Sequence, residues 1–343
     1  MTERNHEQLQ SNNTKSNFGK GWAIIIYCMI MFWFLIGFSI DGQNIVIDVF
    51  AGANWEKLGF ADQTALHAKL LELAMWAGFI GVIAYFVIGR ICTKIGGRLT
   101  SSIFLVLAGI SYIYYGHADS IQSYFIGLTL VTVCINGAAY IGGGNLVTQW
   151  FPKKKGLANG YTTMGHNLGS ALYVPLIAAL IGSLGMANGM TVTGVAAIVI
   201  GIGAYFIVRN TPQELGVYPD NVSKEVYEKE YADAGEASGS RWTVGKLLKT
   251  KEMWLVAFIV GINQMVTTGV MSQMVPRNME FGFTQTQAVS LMTVCALVGL
   301  AGSVGFGFID QKLGVKTAVI GYLVWYSAAL AINVVLNNAI GGY

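Results

Sequence analysis

Long apolar blocks, separated by short polar stretches, form the dominant pattern of this chain. A helix needs about 20 mostly apolar residues to cross the hydrocarbon core of a bilayer, and nine blocks reach that length. Such blocks predict helices, because lipid offers backbone groups no hydrogen bonds and a barrel would instead show short alternating strands. The predicted spans, numbered one to nine, are Trp22–Ala51, Leu66–Ile88, Leu99–Gly116, Ile121–Val147, Leu157–Leu184, Val192–Val208, Met253–Val275, Ala288–Ile309 and Thr317–Leu336.

The composition agrees with this pattern and excludes a soluble protein. Of the 343 residues, 54% are hydrophobic and only 11% are charged, whereas soluble domains have about 25% charged residues. The net charge of +3 is too small, and the basic residues are too dispersed, to suggest a nucleic-acid partner. The four cysteines are widely separated, so we interpret them as small apolar side chains and predict no disulfide framework, metal site or cofactor. The predicted fold class is an all-α membrane protein.

The basic residues predict which side of the membrane each loop occupies. With the N-terminus inside, only Lys57, Lys69 and Arg277 of the 21 Lys and Arg residues fall on the outer side. Cytoplasmic loops are enriched in Lys and Arg. We therefore predict a multi-pass protein of the cell membrane (plasma or inner membrane) with a cytoplasmic N-terminus.

One polar stretch divides the blocks into two groups. Residues 209–251 are rich in Glu, Lys, Asp, Gly and Ser, and we interpret them as a solvated cytoplasmic linker. The predicted domains are an N-terminal six-helix half with its cytoplasmic tail (1–208), the linker (209–251) and an incomplete C-terminal half of three helices (252–343). Two such groups of spans suggest an internal repeat. The loops Gly89–Arg98 and Phe306–Lys316, which carry small, basic and turn-forming residues in related order, support it.

These loops also carry a resemblance to a known family. Gly89–Arg98 (GRICTKIGGR) resembles the signature of the major facilitator superfamily, in which an acidic residue follows the first Gly by four positions. Thr93 stands in place of that acid, and the second copy has Asp310. The resemblance implies a twelve-helix bundle whose signature loops hold an inner gate through contacts between charges and helix ends. It assigns this gating role to Gly89, Arg90, Thr93, Lys94, Arg98, Asp310, Lys312 and Gly314.

A narrower resemblance covers spans four to six. Gln149–Gly160 (QWFPKKKGLANG) and Thr211–Asp220 (TPQELGVYPD) are similar to segments of the oxalate/formate antiporter family. This resemblance implies exchange or cotransport of small carboxylates. Dicarboxylate exchangers of that family use basic residues in the later spans, but the eighth span here contains no Lys or Arg. Because a full member of the superfamily has twelve spans, we expect this nine-span chain to be truncated at its C-terminus.

Polar side chains inside the apolar blocks are the candidates for binding a solute or a coupling ion, because such groups are costly against lipid. Asp41 lies deep in the first block, unless the helix ends near Ile40 and leaves the carboxylate in water at the outer mouth. Aligning Trp22 with Trp254 places Gln273 opposite Asp41. The full set of candidates is Asp41, Gln43, Asn44, Asn136, Tyr140, His166, Asn263, Gln264, Thr267 and Gln273.

Several of these candidates also have a purely structural interpretation. Asn263 and Thr267 are four residues apart and share a helix face, where they either bind substrate or hydrogen-bond a neighbouring helix. His166 either relays protons or is a buried, hydrogen-bonded structural histidine, and the second interpretation is favoured. Pro175, nine residues further along the same span, is expected to kink its helix.

The sequence favours a secondary transporter of a small organic solute that works by alternating access, as a symporter or an antiporter. The resembled family implies an organic anion of the carboxylate type. No nucleotide-binding GxxxxGK[ST] loop is present, so the driving force is a coupling proton or a counter-anion. The predicted partners are that solute and the lipid bilayer, and the predicted state is a monomer without catalytic residues. The alternatives are a solute sensor with a transporter fold and an intramembrane enzyme, although HExxH and GxSxG motifs are absent.

Overall fold

The computed structural model describes residues 18–231 and 244–340, and all regular elements in these ranges are helical. The predicted N-terminal tail (1–17) and the middle of the predicted linker (232–243) lie outside the described residues. The all-α fold class is confirmed. The helices are α1 (Trp22–Ser39), α2 (Asp41–Asn54), α3 (Gln63–Gly116), α4 (Ile121–Asn136), α5 (Gly144–Trp150), α6 (Lys155–Leu168), α7 (Val174–Ile207), α8 (Lys224–Glu230), α9 (Val244–Leu247), α10 (Lys251–Glu280), α11 (Gln285–Leu313) and α12 (Val315–Ile340).

Seven stretches of the described helices are long and apolar enough to cross a membrane. Two of them, Gln63–Gly116 with 54 residues and Lys155–Ile207 with 53, are far longer than a bilayer requires. Gly96 (φ 82°, ψ 166°) and Gly185 (φ 80°, ψ 164°) break the helical path inside them. Only glycine adopts this backbone conformation without strain. Each long stretch therefore supplies two spans, and the nine predicted blocks coincide with these membrane-length segments.

The predicted internal repeat has a counterpart in the backbone. Gly96 lies near the end of the first signature loop and Gly314 near the end of the second, with φ angles of 82° and 81°. When the two loops are aligned on these glycines, Asp310 corresponds to Cys92, whereas Thr93 corresponds to Gln311. The acidic residue of the second copy therefore lies one position before the place that Thr93 occupies in the first copy.

Two π-helical segments widen the path of the middle spans. Gly137–Gly143 joins α4 to α5, and Gly169–Tyr173 joins α6 to α7. The second segment ends just before Pro175, which has no N–H to donate and whose ring displaces the carbonyl four residues earlier. The predicted kink in this span therefore takes the form of a wider turn. In the first segment, Gly142 packs so closely against Ser101 that an added methyl would lie 2.6 Å from the Ser101 nitrogen.

The residue contacts divide the chain into two compact units. The larger unit comprises Met1–Asn221 and Ala296–Ser327, and the smaller unit comprises Val222–Cys295 and Ala328–Tyr343. The division predicted from the sequence, into 1–208, 209–251 and 252–343, follows composition rather than contacts and stays a prediction.

The core of the larger unit is built around α1, most of which is buried. The rings of Phe38 and Tyr112 stack with centroids 3.8 Å apart. The Tyr173 ring packs edge-on to Trp33 at 4.8 Å and lies directly over Gly37. Large aromatic side chains contribute most of the packing energy in such a core. Their packing surrounds the end of α1 with protein, and the next helix begins there with Asp41.

The smaller unit contains α10 and the beginning of α11, and its apolar side chains are mostly exposed. Arg277, near the end of α10, donates to the side-chain oxygen of Asn333 and lies over the Phe281 ring, 5.4 Å from its centroid. These contacts anchor the one basic residue that the sequence places on the outer side of the later spans.

The conformation of Gly96 leads to a stability prediction. Gly96→Ala would force an alanine to a positive φ and place its methyl 2.5 Å from the Asn210 side-chain oxygen. Backbone strain of this kind costs about 1–3 kcal/mol, so the thermal midpoint in detergent should fall by several degrees. The matched control is Gly78→Ala, because nothing lies within 4 Å of the added methyl. Equal midpoints for the two variants would contradict the strained turn.

Candidate functional site

The boundary between α1 and α2 places a carboxylate inside the larger unit. Ile40 leaves helical geometry (φ −127°, ψ −97°), and Asp41 is the first residue of α2. Asp41 and Gln43 are half-buried, whereas Asn44 is exposed. Gly42 sits against the carbonyl of Gly37, where any larger side chain would collide. The break therefore lies near Ile40, as one interpretation of the sequence expected, but the Asp41 side chain is partly enclosed by protein.

Ser170 is the hydrogen-bond partner of this carboxylate. The Ser170 hydroxyl donates to Asp41 Oδ2 at 2.5 Å and lies 3.3 Å from the carbonyl oxygen of His166. Ser170 belongs to the π-helical segment Gly169–Tyr173. π-helical segments within α-helices are frequent at functional sites. Among the described residues Asp41 forms no ion pair, and the Ser170 hydroxyl donates the hydrogen bond to its side chain.

His166 lies one turn before Ser170, in an aromatic environment. The centroid of its ring is 4.5 Å from that of Phe32 and 6.2 Å from that of Tyr140, both edge-on. Its Nε2 atom is buried without a hydrogen-bond partner among the described residues. No described residue supplies the hydrogen bond that the favoured interpretation from the sequence expects at Nε2, so that interpretation stays a prediction. A buried, unsatisfied ring nitrogen is a group that a bound solute or a water could satisfy.

The span-four candidates differ in what they can offer. The Asn136 amide donates to the Thr132 carbonyl oxygen of its own helix at 2.8 Å. Tyr140, on the π-helical segment Gly137–Gly143, is 50% exposed and packs edge-on to Phe32 at 5.3 Å. Tyr140 can thus offer a free ring edge and hydroxyl, whereas the Asn136 amide is already engaged. Phe32 contacts both Tyr140 and His166, and so links spans one, four and five.

The neighbouring Asn167 makes a contact that the sequence did not indicate. Its amide donates to the Ser303 hydroxyl of α11 at 2.9 Å. Asn167 also packs against Gly299, and Gly160 packs against the Ser303 carbonyl and Gly307. We call this contact between α6 and α11 the seam. Small residues on both helices allow the close approach.

The seam ends at the predicted gating residue Asp310. Its carboxylate lies at Gly156, in the first turn of α6, where even a methyl group would collide with it. No side chain of the preceding residue caps this helix, and a carboxylate is favourable at a helix N-terminus. Beside it, the Gln311 amide donates to the Lys153 carbonyl at 3.1 Å. The residues Lys312 and Gly314 that follow are exposed.

The first signature loop is held differently. Thr93 donates to the Arg90 carbonyl of its own helix at 2.8 Å, and Arg90 and Lys94 are exposed, with Gly89 half-buried. Arg98 instead makes the long-range contacts. Its guanidinium donates to the Tyr205 carbonyl and lies 4.6 Å from the centre of the Tyr205 ring. Its backbone N–H donates to the Asn210 side chain at 2.8 Å.

The span-seven candidates belong to the smaller unit and are described separately. Asn263 and Thr267 are half-buried on α10. The Gln264 amide, one residue further on, donates to the Thr268 hydroxyl at 3.3 Å. Gln264 and Thr268 therefore lie on one face of this helix, and a role of the span-seven candidates in binding a solute stays a prediction. Gln273 lies on α10, but its side chain is outside the described residues, so its predicted position opposite Asp41 stays a prediction.

Comparison with known proteins identifies the family. A family model described as Major Facilitator Superfamily matches residues 22–341. The chain belongs to the major facilitator superfamily. This confirms the resemblance drawn from Gly89–Arg98, although that loop lacks the acidic residue of the signature.

Three relatives place the chain within the superfamily. It is 19% identical to the uncharacterized MFS-type transporter YhjX of Escherichia coli strain K12 over 79% of this chain and 65% of the relative. It is 24% identical to the oxalate:formate antiporter of Oxalobacter formigenes over 89% of this chain and 67% of that protein. It is also 24% identical to mouse monocarboxylate transporter 14, over 58% of this chain and 38% of the relative. The chain thus spans about two thirds of the length of the first two relatives.

The contact between α1 and α6 provides a test of the site's geometry. A methyl group at Gly165 would collide with the Met29 carbonyl and press on Phe32. Overpacking of this kind costs about 1–3 kcal/mol, so Gly165→Ala should lower the thermal midpoint in detergent. Gly182→Ala is the control, since its added methyl meets nothing within 4 Å. A midpoint for Gly165→Ala at or above that of the control would show that the two helices do not pack as described.

Proposed function

We propose that the protein is a secondary transporter that moves a small organic anion of the carboxylate class across the membrane by alternating access. The observation that carries the proposal is the partly enclosed Asp41 carboxylate, hydrogen-bonded to Ser170 where spans one and five both depart from α-helical geometry. Within a membrane protein, irregular backbone and an ionisable side chain inside the bundle typically mark a transport site. Membership of a transporter superfamily supports the same conclusion and argues against an enzyme.

The solute class follows from the relatives and from electrostatics together. An oxalate:formate antiporter and a monocarboxylate transporter are among the related proteins. An ionised Asp41 would repel a carboxylate bound beside it. A proton bound to Asp41 would remove this repulsion and would travel with the anion. We therefore assign the coupling proton to Asp41, and the neighbouring His166 and Tyr140 to contact with the solute.

The inner gate is the second part of the proposal. Contact of Asp310 with the first turn of α6, together with the seam from Asn167 to Ser303, would close the inner side of the site. Separation of α6 from α11 would open it. Arg98 would hold the first signature loop through Tyr205 and Asn210, in place of the charge that Thr93 lacks.

The proposal also includes the membrane location, orientation and oligomeric state of the protein. The distribution of Lys and Arg supports a cytoplasmic N-terminus and a position in the plasma or inner membrane. We propose that the protein acts as a monomer, with the solute and its coupling proton as its partners.

The role of Asp41 can be tested by transport. In proteoliposomes that contain the intact protein, an inward proton gradient should drive accumulation of labelled oxalate, formate or lactate. Asp41→Asn removes the titratable group but keeps the size of the side chain, so gradient-driven accumulation should fall at least about tenfold, the effect of about 1.4 kcal/mol. Exchange between equal solute concentrations on the two sides should be retained, because it needs no net proton movement.

Glu225→Gln is the matched control, since Glu225 is an exposed acid on the short helix α8. Undiminished gradient-driven accumulation by Asp41→Asn would refute the coupling role. Transport that requires a counter-anion and does not depend on the proton gradient would show that the protein is an antiporter and not a proton symporter. Solute binding without any uptake would favour the sensor.

The predicted orientation has its own test. With the native cysteines replaced, a single cysteine at exposed Glu225 should react with a membrane-impermeant maleimide only in inside-out vesicles. A cysteine at Lys57, in the turn between α2 and α3, should react only in right-side-out vesicles. The opposite pattern would overturn the assignment of sides.

A further inference from the structure

The segment Arg209–Asn221, at the start of the predicted linker, is folded onto the ends of the spans. At its end, Asp220 is only 1% exposed. Its two carboxylate oxygens accept hydrogen bonds from the backbone N–H groups of Lys153 and Lys154, both at 3.0 Å. Hydrogen bonds to an ionised carboxylate are about twice as strong as neutral ones. This acid therefore clamps the loop between α5 and α6.

The backbone at the end of this segment is held in a strained conformation. Asp220 and Asn221 both have positive φ angles, 57° and 55°. Residues other than glycine adopt this conformation at a cost and keep it only where the surroundings impose it. The Asn221 side chain fills the space beside Gly19, where an added methyl would lie 2.5 Å from the Asn221 oxygen. The segment thus fits the N-terminal end of the bundle closely.

Further contacts fix the rest of the segment to three other places. Asn210 accepts the Arg98 backbone N–H at 2.8 Å. The indole of Trp150 donates to the Arg209 carbonyl at 3.0 Å, and the Lys20 ammonium donates to the Leu215 carbonyl at 3.2 Å. A segment tied at both ends and in the middle holds the inner ends of spans one, three and four together.

The loop that Asp220 holds directly precedes the helix that contacts the gating residue Asp310. Lys153 and Lys154 directly precede α6, and the first turn of α6 faces Asp310. The Lys153 N–H is held by Asp220, while its carbonyl accepts the Gln311 amide from α11. Lys154 is itself only 5% exposed. Burial lowers the pKa of its ammonium group, and the Asp220 carboxylate opposes that change.

We propose that Asp220 is a positioning residue for the inner gate: by clamping the Lys153–Lys154 amides it fixes the first turn of α6 in the place where Asp310 docks. The inference rests on the gating role proposed above, and it deepens that role by assigning control of the gate to the segment Arg209–Asn221. A displacement of this segment would release the loop, weaken the contact of Asp310 with α6 and favour opening of the seam.

The test measures closure of the seam directly. Asn167→Cys and Ser303→Cys are introduced into the intact protein after replacement of the native cysteines. The rate of disulfide formation in membranes then reports how often α6 and α11 are in contact. Asp220→Asn, which turns one acceptor into a donor facing an N–H, should slow the disulfide about tenfold. Glu225→Gln in the same background should leave the rate unchanged.

A second measurement does not require the variant to fold. Coupling between two sites is reciprocal, so locking the seam with the same disulfide should slow amide hydrogen exchange at Lys153 and Lys154 while Asp220 is intact. The proposal is overturned if Asp220→Asn forms the disulfide as fast as the control, or if locking the seam leaves exchange at both amides unchanged.

These outcomes are separate from those of the transport assay. Slower disulfide formation in Asp220→Asn without any carboxylate uptake by the unmodified protein would refute the proposed function and still support the role of Asp220. Uptake by the unmodified protein together with an unaltered disulfide rate in Asp220→Asn would refute the role of Asp220 alone.

Discussion

The structure depends on one constraint: the hydrocarbon core of a bilayer offers no hydrogen bonds, so every backbone group inside it must find a partner in the protein. In the smaller unit, the exposed span Lys251–Met271 of α10 meets this constraint as an uninterrupted helix. In the larger unit, backbone irregularities occur where neighbouring spans surround them. The break at Ile40 and the π-helical segments Gly137–Gly143 and Gly169–Tyr173 are of this kind. The same enclosure makes an ionisable side chain tolerable, and Asp41 lies at one of these breaks.

The periodic features of the fold could be predicted from the sequence, because they depend on local hydrophobicity alone. All nine spans fall where the apolar blocks lie, but their ends do not. The predicted span Leu66–Ile88 belongs to a helix that continues to Gly96, because polar residues beyond the hydrocarbon core can remain helical. The first block, Trp22–Ala51, is longer than a bilayer requires, and the break near Ile40 explains its length.

The contacts of the candidate site depend on tertiary packing and are harder to predict from the sequence. Asp41 was found because a lone acid in an apolar block is conspicuous. Its partner Ser170 was missed, because serine is unremarkable in such blocks and its direction is set by a wider helical turn. Asp220 was hidden by its surroundings, since an acid in a polar stretch is indistinguishable from a solvated one until its burial is known. The positive φ angles of Asp220 and Asn221 could not be predicted either, because neither residue requires them.

The turn at Gly185 has a practical consequence. Spans five and six are joined there by a single glycine, so this end of the molecule presents almost no peptide to an antibody, a protease or an inserted epitope. The connection between α2 and α3, which runs from Trp55 to Asp62, is much longer and carries exposed residues. Tags and fluorophores intended for that face of the molecule should therefore be inserted after Lys57, where extra residues can extend away from the bundle without prying two helices apart.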